Sequence, residues 1–249
     1  MSKTAGALVQ FLIVLDFHGN FLTKYRMASP ILQTWVANAR RWSQLLDSGE
    51  LESRVLVTNQ AIVDAIVAAR PARLLDVGCG EGWLCRALAP HGIATWGVDG
   101  VPELIGAAKS KGKGQYSIAS YEQLAAGFPA FNGLFNALVF NFCLYEQELT
   151  GRLLQRATEW VQPGGRLFIQ TLHEEVLANA NGGPPDTGYL TEQWAGLEGF
   201  KGSYQWYFRQ LGDWERCLHE AGWQLLHTHT TVHPHSQRRL SWIMTAAPA

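Results

Sequence analysis

The sequence contains no block of like charges, and its formal net charge is only -1 at pH 7. Proteins that bind nucleic acids usually carry a basic patch, so a polyanionic substrate is disfavoured. The 4 cysteines show no Cys-x-x-Cys spacing, and Cys79 lies inside a glycine-rich stretch where a crosslink would be disruptive. We therefore expect reduced thiols, a cytoplasmic location and no nucleic-acid partner.

A long hydrophobic run is also missing. The most membrane-like stretch, residues 7–17, is interrupted by Gln10 and Asp16 and is too short to span a bilayer. No small-residue cleavage site of a signal peptide follows it. We expect no membrane contact, and either an extra strand or an extension ahead of Met27. The sequence leaves open whether residues 1–26 belong to the native protein.

With 249 residues, 47% of them hydrophobic, the chain is long enough for one α/β domain and a small cap. Its most informative stretch is an apolar strand that passes Asp76, turns on Gly78, Gly80 and Gly82, and runs into a predicted helix. Glycines allow a tight turn and close approach of a ligand, and a helix start offers free N–H groups to a negative group. The pattern predicts a nucleotide-type cofactor loop.

The spacing of the loop discriminates between cofactors. A dinucleotide loop needs glycine at its first, third and sixth positions, and the sixth position here is Trp83. An NAD(P)-dependent oxidoreductase is therefore the weaker alternative. The order Asp-x-Gly-x-Gly-x-Gly from Asp76 to Gly82 instead resembles motif I of class I S-adenosylmethionine-dependent methyltransferases.

Further segments extend this resemblance over about residues 58–246. Asp99 ends a predicted second strand 17 positions after Gly82, where a carboxylate can accept both ribose hydroxyls. The end of a predicted strand at 135–142 resembles motif IV of the family. A Pro-Gly-Gly turn at 163–165 precedes a strand, as it usually does before the family's fifth strand.

The resemblance and the alternation of strands and helices predict an α/β fold with a Rossmann-like, seven-stranded, mostly parallel sheet. Helices should cover both faces, and the last strand should be antiparallel. Residues 1–57 are predicted to form an N-terminal extension and lid helix, and residues 58–246 the methyltransferase domain. A glycine-rich, aromatic insertion at about 173–211 should act as a cap or lid.

The resemblance implies S-adenosylmethionine as the cofactor. The glycine-loop backbone would lie against its methionine and ribose parts, Asp99 would hold the ribose, and the backbone of Asn141 and Phe142 would face the sulfonium and ammonium. The expected cofactor-binding residues are Arg54, Asp76, Gly78, Cys79, Gly80, Gly82, Asp99, Gly100, Ser120, Tyr121, Asn141 and Phe142.

Several of these roles have alternatives. Asp76 either orients the amino group, directly or through water, or caps the loop's own amides. Arg54 either binds the methionine carboxylate bidentately or is an ordinary surface arginine. The family usually places a polar or acidic side chain against the adenine amine after the third strand. This chain has no carboxylate at the first such position, so Ser120, Glu122 or backbone groups take the role.

Methyl transfer is an in-line displacement, so the protein mainly supplies alignment, desolvation and a deprotonated nucleophile. His173 follows the predicted fifth strand at its ligand end and is the candidate general base. The alternative is a histidine hydrogen-bonded within the lid. Glu174 and Tyr145 are the reserve candidates.

Two other clusters have structural interpretations that we favour. The alternating His227, His229, His233 and His235 suggest a metal site, but no cysteine or carboxylate lies near them, so we expect outer-face histidines and no metal. The densest aromatic patch either lines an acceptor pocket or forms the core of the cap, which is the safer interpretation. This patch comprises Trp194, Trp206, Tyr207, Phe208 and Arg209.

The acceptor is expected to be a small molecule. A signature for exocyclic amines would read Asn/Asp-Pro-Pro-aromatic at Asn141, yet the chain reads Asn-Phe-Cys-Leu, and no Pro-Cys nucleophile is present. An oxygen, nitrogen or carbon nucleophile stays open, with a weak analogy to oxygen methyltransferases of ubiquinone biosynthesis. A catalytically silent S-adenosylmethionine-binding protein is a further alternative, and the sequence does not indicate an oligomeric state.

Overall fold

A computed structural model describes residues 29–112, 114–129, 131, 133–178, 183–194 and 197–249. The expectations for residues 1–26 lie outside this part of the chain. No helix among the described residues is long and apolar enough to cross a bilayer.

Within the described part of the chain, seven α-helices follow the apolar periodicity of the sequence. The first begins where the Ser29 hydroxyl accepts the Leu32 N–H at 3.3 Å, and it ends before Gly49, whose φ of 71° is left-handed. The helices are α1 (Pro30–Ser48), α2 (Asn59–Ala69), α3 (Trp83–Leu88), α4 (Pro102–Lys111), α5 (Tyr121–Ala125), α6 (Glu148–Ala157) and α7 (Leu211–Glu220).

The described residues contain nine strands in two sheets. They are β1 (Arg73–Val77), β2 (Ala94–Asp99), β3 (Gln115–Ile118), β4 (Phe135–Asn141), β5 (Val161–Leu172), β6 (Gly188–Glu192), β7 (Tyr204–Phe208), β8 (Trp223–Val232) and β9 (Arg239–Pro248). The main sheet has 7 strands in the order β3-β2-β1-β4-β5-β9-β8, and β6 pairs with β7 in a separate hairpin.

The predicted fold class is confirmed. Strands β1 to β5 pair in parallel, whereas β9 is antiparallel to both β5 and β8. The strand order reverses between β1 and β4, and in open α/β sheets ligands bind beyond the carboxyl ends of the strands at such a switch point. The loop after β1 is the glycine loop, so the topology places it at this position.

Helices cover both faces of the sheet because neighbouring strand residues point in opposite directions. On β5, Phe168 packs with Ile62 of α2 and Leu84 of α3, whereas Ile169 belongs to the cluster that contains Trp214 of α7. All five side chains are almost fully buried. The two apolar layers hold the strand ends, and therefore the glycine loop, in place.

Asparagine is a common N-cap residue, but Asn59 does not cap α2. In the structure Asn59 is already helical (φ -66°, ψ -48°), because a five-residue π-helix, Arg54–Thr58, runs directly into α2. The Asn59 side chain instead accepts a hydrogen bond from Arg54 Nε at 3.4 Å. The helical segment thus begins early enough to include Arg54.

Helix α1 and the β6–β7 hairpin pack together as a cap. Asn38 donates to the Lys201 carbonyl at 2.8 Å and accepts the Lys201 N–H at 2.7 Å. The ring of Trp35 meets that of Trp194 edge-on, with centroids 5.3 Å apart. The hairpin lies inside the segment predicted as an irregular lid, and the division of the chain at residues 57 and 58 stays a prediction.

Candidate active site

A cleft with about 910 Å³ of space, including its opening to solvent, lies at the glycine loop. Ten of the twelve predicted cofactor residues contribute to its walls. They are Arg54, Gly78, Cys79, Gly80, Asp99, Gly100, Ser120, Tyr121, Asn141 and Phe142. The opposite wall includes Leu32, Trp35 and Trp42 of α1.

The glycine loop needs its glycines for two different reasons. Gly78, Gly80 and Gly82 have φ values of 75°, 55° and 79°, which side-chain-bearing residues rarely adopt. A Cβ on Gly78 would lie 2.5 Å from the Tyr121 hydroxyl, so that position is tightly packed. A Cβ on Gly80 would meet nothing within 4 Å. The loop is therefore open towards the cleft at Gly80.

Asp99 points at this loop. Its Oδ2 accepts the Gly80 N–H at 2.9 Å and its Oδ1 accepts the Val101 N–H at 2.8 Å. Burial raises the pKa of the carboxyl, while hydrogen bonds from the backbone of Val101, Gly80 and Gly100 oppose the rise. Each carboxylate oxygen keeps acceptor capacity for a ligand hydroxyl.

Arg54 is the only basic residue among the described residues that line the cleft. Its guanidinium lies 5.6 Å from the ring centre of Trp42 and 5.3 Å from that of Trp83. Within the described part of the chain it forms no ion pair. Burial lowers its pKa to about 10, against weaker opposing effects of Tyr145 and Glu81. A partly buried guanidinium without a carboxylate partner is suited to an anionic ligand group.

Asp76 and Gly82 are the two predicted residues that do not line the cleft. Asp76 lies behind the loop and is only 2% exposed, and its Oδ2 accepts a hydrogen bond from the Cys85 thiol at 3.6 Å. Burial raises its pKa to about 7; the Cys85 hydrogen bond opposes this rise, and nearby Asp99 adds to it. A Cβ on Gly82 would lie 2.8 Å from the Tyr116 hydroxyl.

The loop after β4 forms the next wall. Phe142 has a φ of 50°, which is unusual for a bulky residue, and its N–H donates to the Gln170 carbonyl at 2.8 Å. The Asn141 Oδ1 atom is buried and has no hydrogen-bond partner among the described residues. The Tyr145 hydroxyl donates to the Phe142 carbonyl. Such backbone strain and orphaned polar atoms are common at ligand sites.

The segment after β3 supplies the remaining predicted residues. The Ser120 hydroxyl caps α5 by accepting the Gln123 N–H at 3.3 Å. Tyr121 donates to the Cys143 carbonyl at 3.1 Å, which holds its ring across the glycine loop. Glu122, the alternative to Ser120 at the adenine end, also lines the cleft.

His173 lies outside the cleft. It is only 3% exposed, its ring centre lies 4.7 Å from that of Trp242 on β9, and its Nδ1 accepts the Glu175 N–H at 3.1 Å. Burial lowers its pKa. Of the reserve candidates Tyr145 lines the cleft and Glu174 does not. This geometry resembles the alternative of a hydrogen-bonded lid histidine, and the catalytic role stays a prediction.

Much of the predicted aromatic patch lies in the cap. Trp194, Trp206 and Phe208 are buried in the core of the cap and do not line the cleft. The described residues contain no group of at least three His, Cys, Asp or Glu side chains that could hold a metal.

Sequence reasoning missed Glu146. It placed a lid helix within residues 1–57 but did not identify the α1 side chains that line the cleft. Glu146 lies in the loop between β4 and α6 and faces the cleft. Burial raises its pKa, while a hydrogen bond from Ser29 opposes the rise. The apolar stripe of α1 was visible in the sequence, but its direction depends on packing against α4 and the hairpin.

Comparisons with known proteins agree with this architecture. Residues 51–228 match the family described as "Methyltransferase domain". A ubiquinone biosynthesis O-methyltransferase from Xylella fastidiosa (strain M23) is 35% identical over 117 residues, which are 45% of this chain and 46% of that protein. The enzyme of the same name from Xanthomonas campestris pv. campestris (strain B100) is 31% identical over 60% of this chain and 63% of its own length.

Two solved structures share the fold. The S-adenosylmethionine-dependent methyltransferase from Mesorhizobium loti has a TM-score of 0.60 at 20% identity, covering 75% of this chain and 95% of that one. A Burkholderia thailandensis 1,6-didemethyltoxoflavin-N1-methyltransferase, solved with that acceptor and S-adenosylhomocysteine, has a TM-score of 0.59 at 18% identity, covering 90% and 92%. Because the family match spans most of the described residues, the chain belongs to the methyltransferase domain family and has its class I fold.

Proposed function

We propose that the protein transfers a methyl group from S-adenosylmethionine to a small-molecule acceptor. The main support is that three features meet at one cleft. These are the open side of Gly80, the Asp99 carboxylate that accepts the Gly80 N–H, and the Arg54 guanidinium, which has no carboxylate partner in the described part of the chain. A nucleoside that carries a carboxylate has groups complementary to all three. The residues therefore fit this cofactor.

Each wall of the cleft has a proposed role. The backbone of Gly78, Cys79 and Gly80 lies against the methionine and ribose parts, Asp99 with Gly100 holds the ribose hydroxyls, and Arg54 binds the carboxylate. Ser120, Tyr121 and Glu122 surround the adenine. Asn141 offers its unpaired Oδ1 to the ammonium, and the backbone of Phe142 faces the sulfonium. Asp76 and Gly82 act from behind the loop, through charge and through packing respectively.

Bound S-adenosylmethionine supplies an electrophilic methyl group, so the protein has to align an acceptor and exclude water. Helix α1 lines the cleft, with the β6–β7 hairpin packed behind it, and could serve both purposes. A general base is needed only if the acceptor binds in its protonated form. Glu146 is the proposed base, because its carboxylate lines the cleft and burial raises its pKa. The position of His173 does not support the same role for that residue.

The cleft walls suggest which acceptors fit. Ile31, Trp35, Phe142 and Leu149 give an apolar, partly aromatic lining, and the ring planes of Trp35 and Tyr145 are within 20° of parallel. Once Arg54 binds the cofactor carboxylate, the described walls hold no second cation to neutralise an acceptor. We therefore propose an apolar ring that carries no negative charge. The proposed acceptor atom is an oxygen bound to this ring, as the name O-methyltransferase of the relatives suggests, or a nitrogen of the ring.

Binding and turnover test these proposals separately. Isothermal titration with S-adenosylhomocysteine and with NAD distinguishes the methyltransferase from an NAD(P)-dependent oxidoreductase. Binding of S-adenosylhomocysteine without product from any acceptor would favour a silent binding protein. Absence of binding to S-adenosylhomocysteine would refute the proposal.

Cell fractionation tests the proposed cytoplasmic location, and a nucleic-acid binding assay tests the proposed lack of that partner.

The acceptor's charge is tested with one ring scaffold that carries a neutral, a cationic or an anionic substituent. The anionic compound should be methylated at least about tenfold more slowly, because Glu146 and other acidic residues line the cleft. Glu146→Gln should reduce the difference in rate between the anionic and the neutral compound. Glu148→Gln, at an exposed site outside the cleft, should leave that difference unchanged. Equal rates for all three compounds in the wild type would contradict the proposed acceptor class.

A further inference from the structure

Gln170 is a buried amide whose position links two walls of the cleft. It lies on β5, is only 1% exposed, and its Nε2 donates to the Thr58 carbonyl at 3.1 Å and to the Ser241 hydroxyl at 3.0 Å. Its Oε1 is buried without a partner among the described residues. Glutamine is seldom buried in this way, since an unsatisfied amide oxygen destabilises the fold. A role in stability alone does not explain this choice of residue.

The first link runs to Arg54. Thr58 is the last residue of the π-helix that begins at Arg54, and the Asn59 N–H donates to the Arg54 carbonyl. π-helical turns are rare, and they are frequently found at functional sites. The Gln170 amide fixes one end of this short segment to the sheet, and the guanidinium projects from the other end.

The second link runs to the loop after β4. The Gln170 carbonyl accepts the N–H of Phe142, the residue held at a φ of 50°. Asn141, one residue earlier, pairs in register with Gln170 across β4 and β5. A single residue therefore contacts both the segment that carries Arg54 and the segment next to the proposed ammonium site.

We propose that Gln170 is a positioning residue, whose side-chain amide holds the π-helix so that Arg54 faces the carboxylate of the bound cofactor. The inference rests on the proposed function, because it assumes that Arg54 binds this carboxylate. The amide does not touch the ligand. Its effect should appear only with ligands that have a carboxylate to be bound.

Two nucleosides test this role. S-adenosylhomocysteine carries the amino-acid carboxylate, whereas methylthioadenosine keeps the adenosine and the sulfur but has no amino-acid group. Arg54→Met should raise the Kd for S-adenosylhomocysteine about 10- to 100-fold, as expected for losing charged hydrogen bonds. The Kd for methylthioadenosine should change by less than about twofold, because it makes no contact with Arg54.

Gln170→Met keeps the volume of the side chain and removes both hydrogen bonds. We expect a roughly 5- to 20-fold rise in the Kd for S-adenosylhomocysteine and little change for methylthioadenosine. Adding Arg54→Met to Gln170→Met should cause less loss than the product of the two single effects, because both act on one interaction.

Ser241→Ala is the matched control, because it removes the other hydrogen bond of the same amide and leaves the bond to Thr58. It should lower the unfolding temperature without changing the ratio of the two dissociation constants. If Gln170→Met does not fold, Gln170→Leu replaces it, since this apolar side chain cannot donate to the Thr58 carbonyl.

The outcomes separate the two proposals. Failure of the wild type to bind S-adenosylhomocysteine would refute the proposed function. If Gln170→Met or Gln170→Leu weakens the binding of both nucleosides equally, or weakens neither, only the proposed role of Gln170 is refuted. A selective loss for the carboxylate-bearing ligand, absent in Ser241→Ala, supports it.

Discussion

Replacing Asp76 with asparagine should stabilise the protein in a pH-dependent way. The carboxyl is 2% exposed, its described side-chain partner is the Cys85 thiol, and burial raises its pKa from 3.8 to about 7. In the unfolded chain the group ionises near its ordinary value, whereas in the folded chain it keeps its proton to higher pH. The wild type should therefore lose stability as the pH rises from about 4 to about 7.

The size of this loss follows from the shift. A difference of about 3 pKa units corresponds to about 4 kcal/mol above pH 7 and, since titration is only partial, to about 2 kcal/mol at pH 5. Asparagine has nearly the same shape and does not titrate. Its added N–H donors lack a known acceptor, which costs about 1 kcal/mol at every pH.

Urea unfolding of wild type and Asp76→Asn at pH 5 and pH 8 measures the effect. The stability of the variant relative to the wild type should increase by about 2 kcal/mol between these two values. Taking the difference between the proteins removes the contributions of all other titrating groups. A difference that stays constant with pH, or that favours the wild type more at pH 8, would refute the assignment of a raised pKa to Asp76.

Four further substitutions test individual residues. Gly80→Ala and Gly92→Ala each place a Cβ at positive φ with nothing within 4 Å, so each should cost about 1 to 2 kcal/mol of stability. Only Gly80→Ala should also weaken the binding of S-adenosylhomocysteine, at least about tenfold by calorimetry. If both variants bind this ligand with equal affinity, the ligand binds elsewhere. Asp99→Ala should weaken the same binding by roughly 1 to 3 kcal/mol, and an unchanged Kd would remove Asp99 from the site. His173→Ala should lower the unfolding temperature with little change in turnover per folded molecule, and a tenfold slower turnover at normal stability would restore its role as a base.

Much of the fold was predictable because its signals are local. Buried parallel strands such as β4 appear as apolar runs, and the glycine loop and Asp99 are fixed by spacing along the chain. The β6–β7 hairpin was not predicted, although its second strand alternates between buried and exposed residues. The glycines around the hairpin and the shortness of both strands made this alternating pattern hard to recognise in the sequence.

The side of an element on which a residue lies was harder to predict. His173 and Asp76 were both placed near the ligand from their positions at strand ends, yet neither lines the cleft. His173 packs against Trp242 of β9, a contact that depends on a strand about seventy residues later in the sequence. Arg54 was predicted from its place ahead of α2, and it lines the cleft because the π-helix extends that segment.

The charges around the glycine loop lead to a last prediction. Burial raises the pKa of both Asp76 and Asp99 and lowers that of Arg54, so each group is less favourable when ionised in the ligand-free protein than in water. S-adenosylmethionine carries a positive sulfonium that S-adenosylhomocysteine lacks. Ionised carboxylates near the loop attract this additional charge. As Asp76 ionises between pH 6 and pH 8, affinity for S-adenosylmethionine should therefore rise relative to that for S-adenosylhomocysteine. Calorimetry with both ligands at the two pH values gives this ratio, and Asp76→Asn should make it nearly independent of pH. If the ratio of the two affinities in the wild type does not change with pH, the charge of Asp76 does not act on the sulfonium that distinguishes the methyl donor from its product. The buried Asp76 would then have a role only in the structure of the glycine loop.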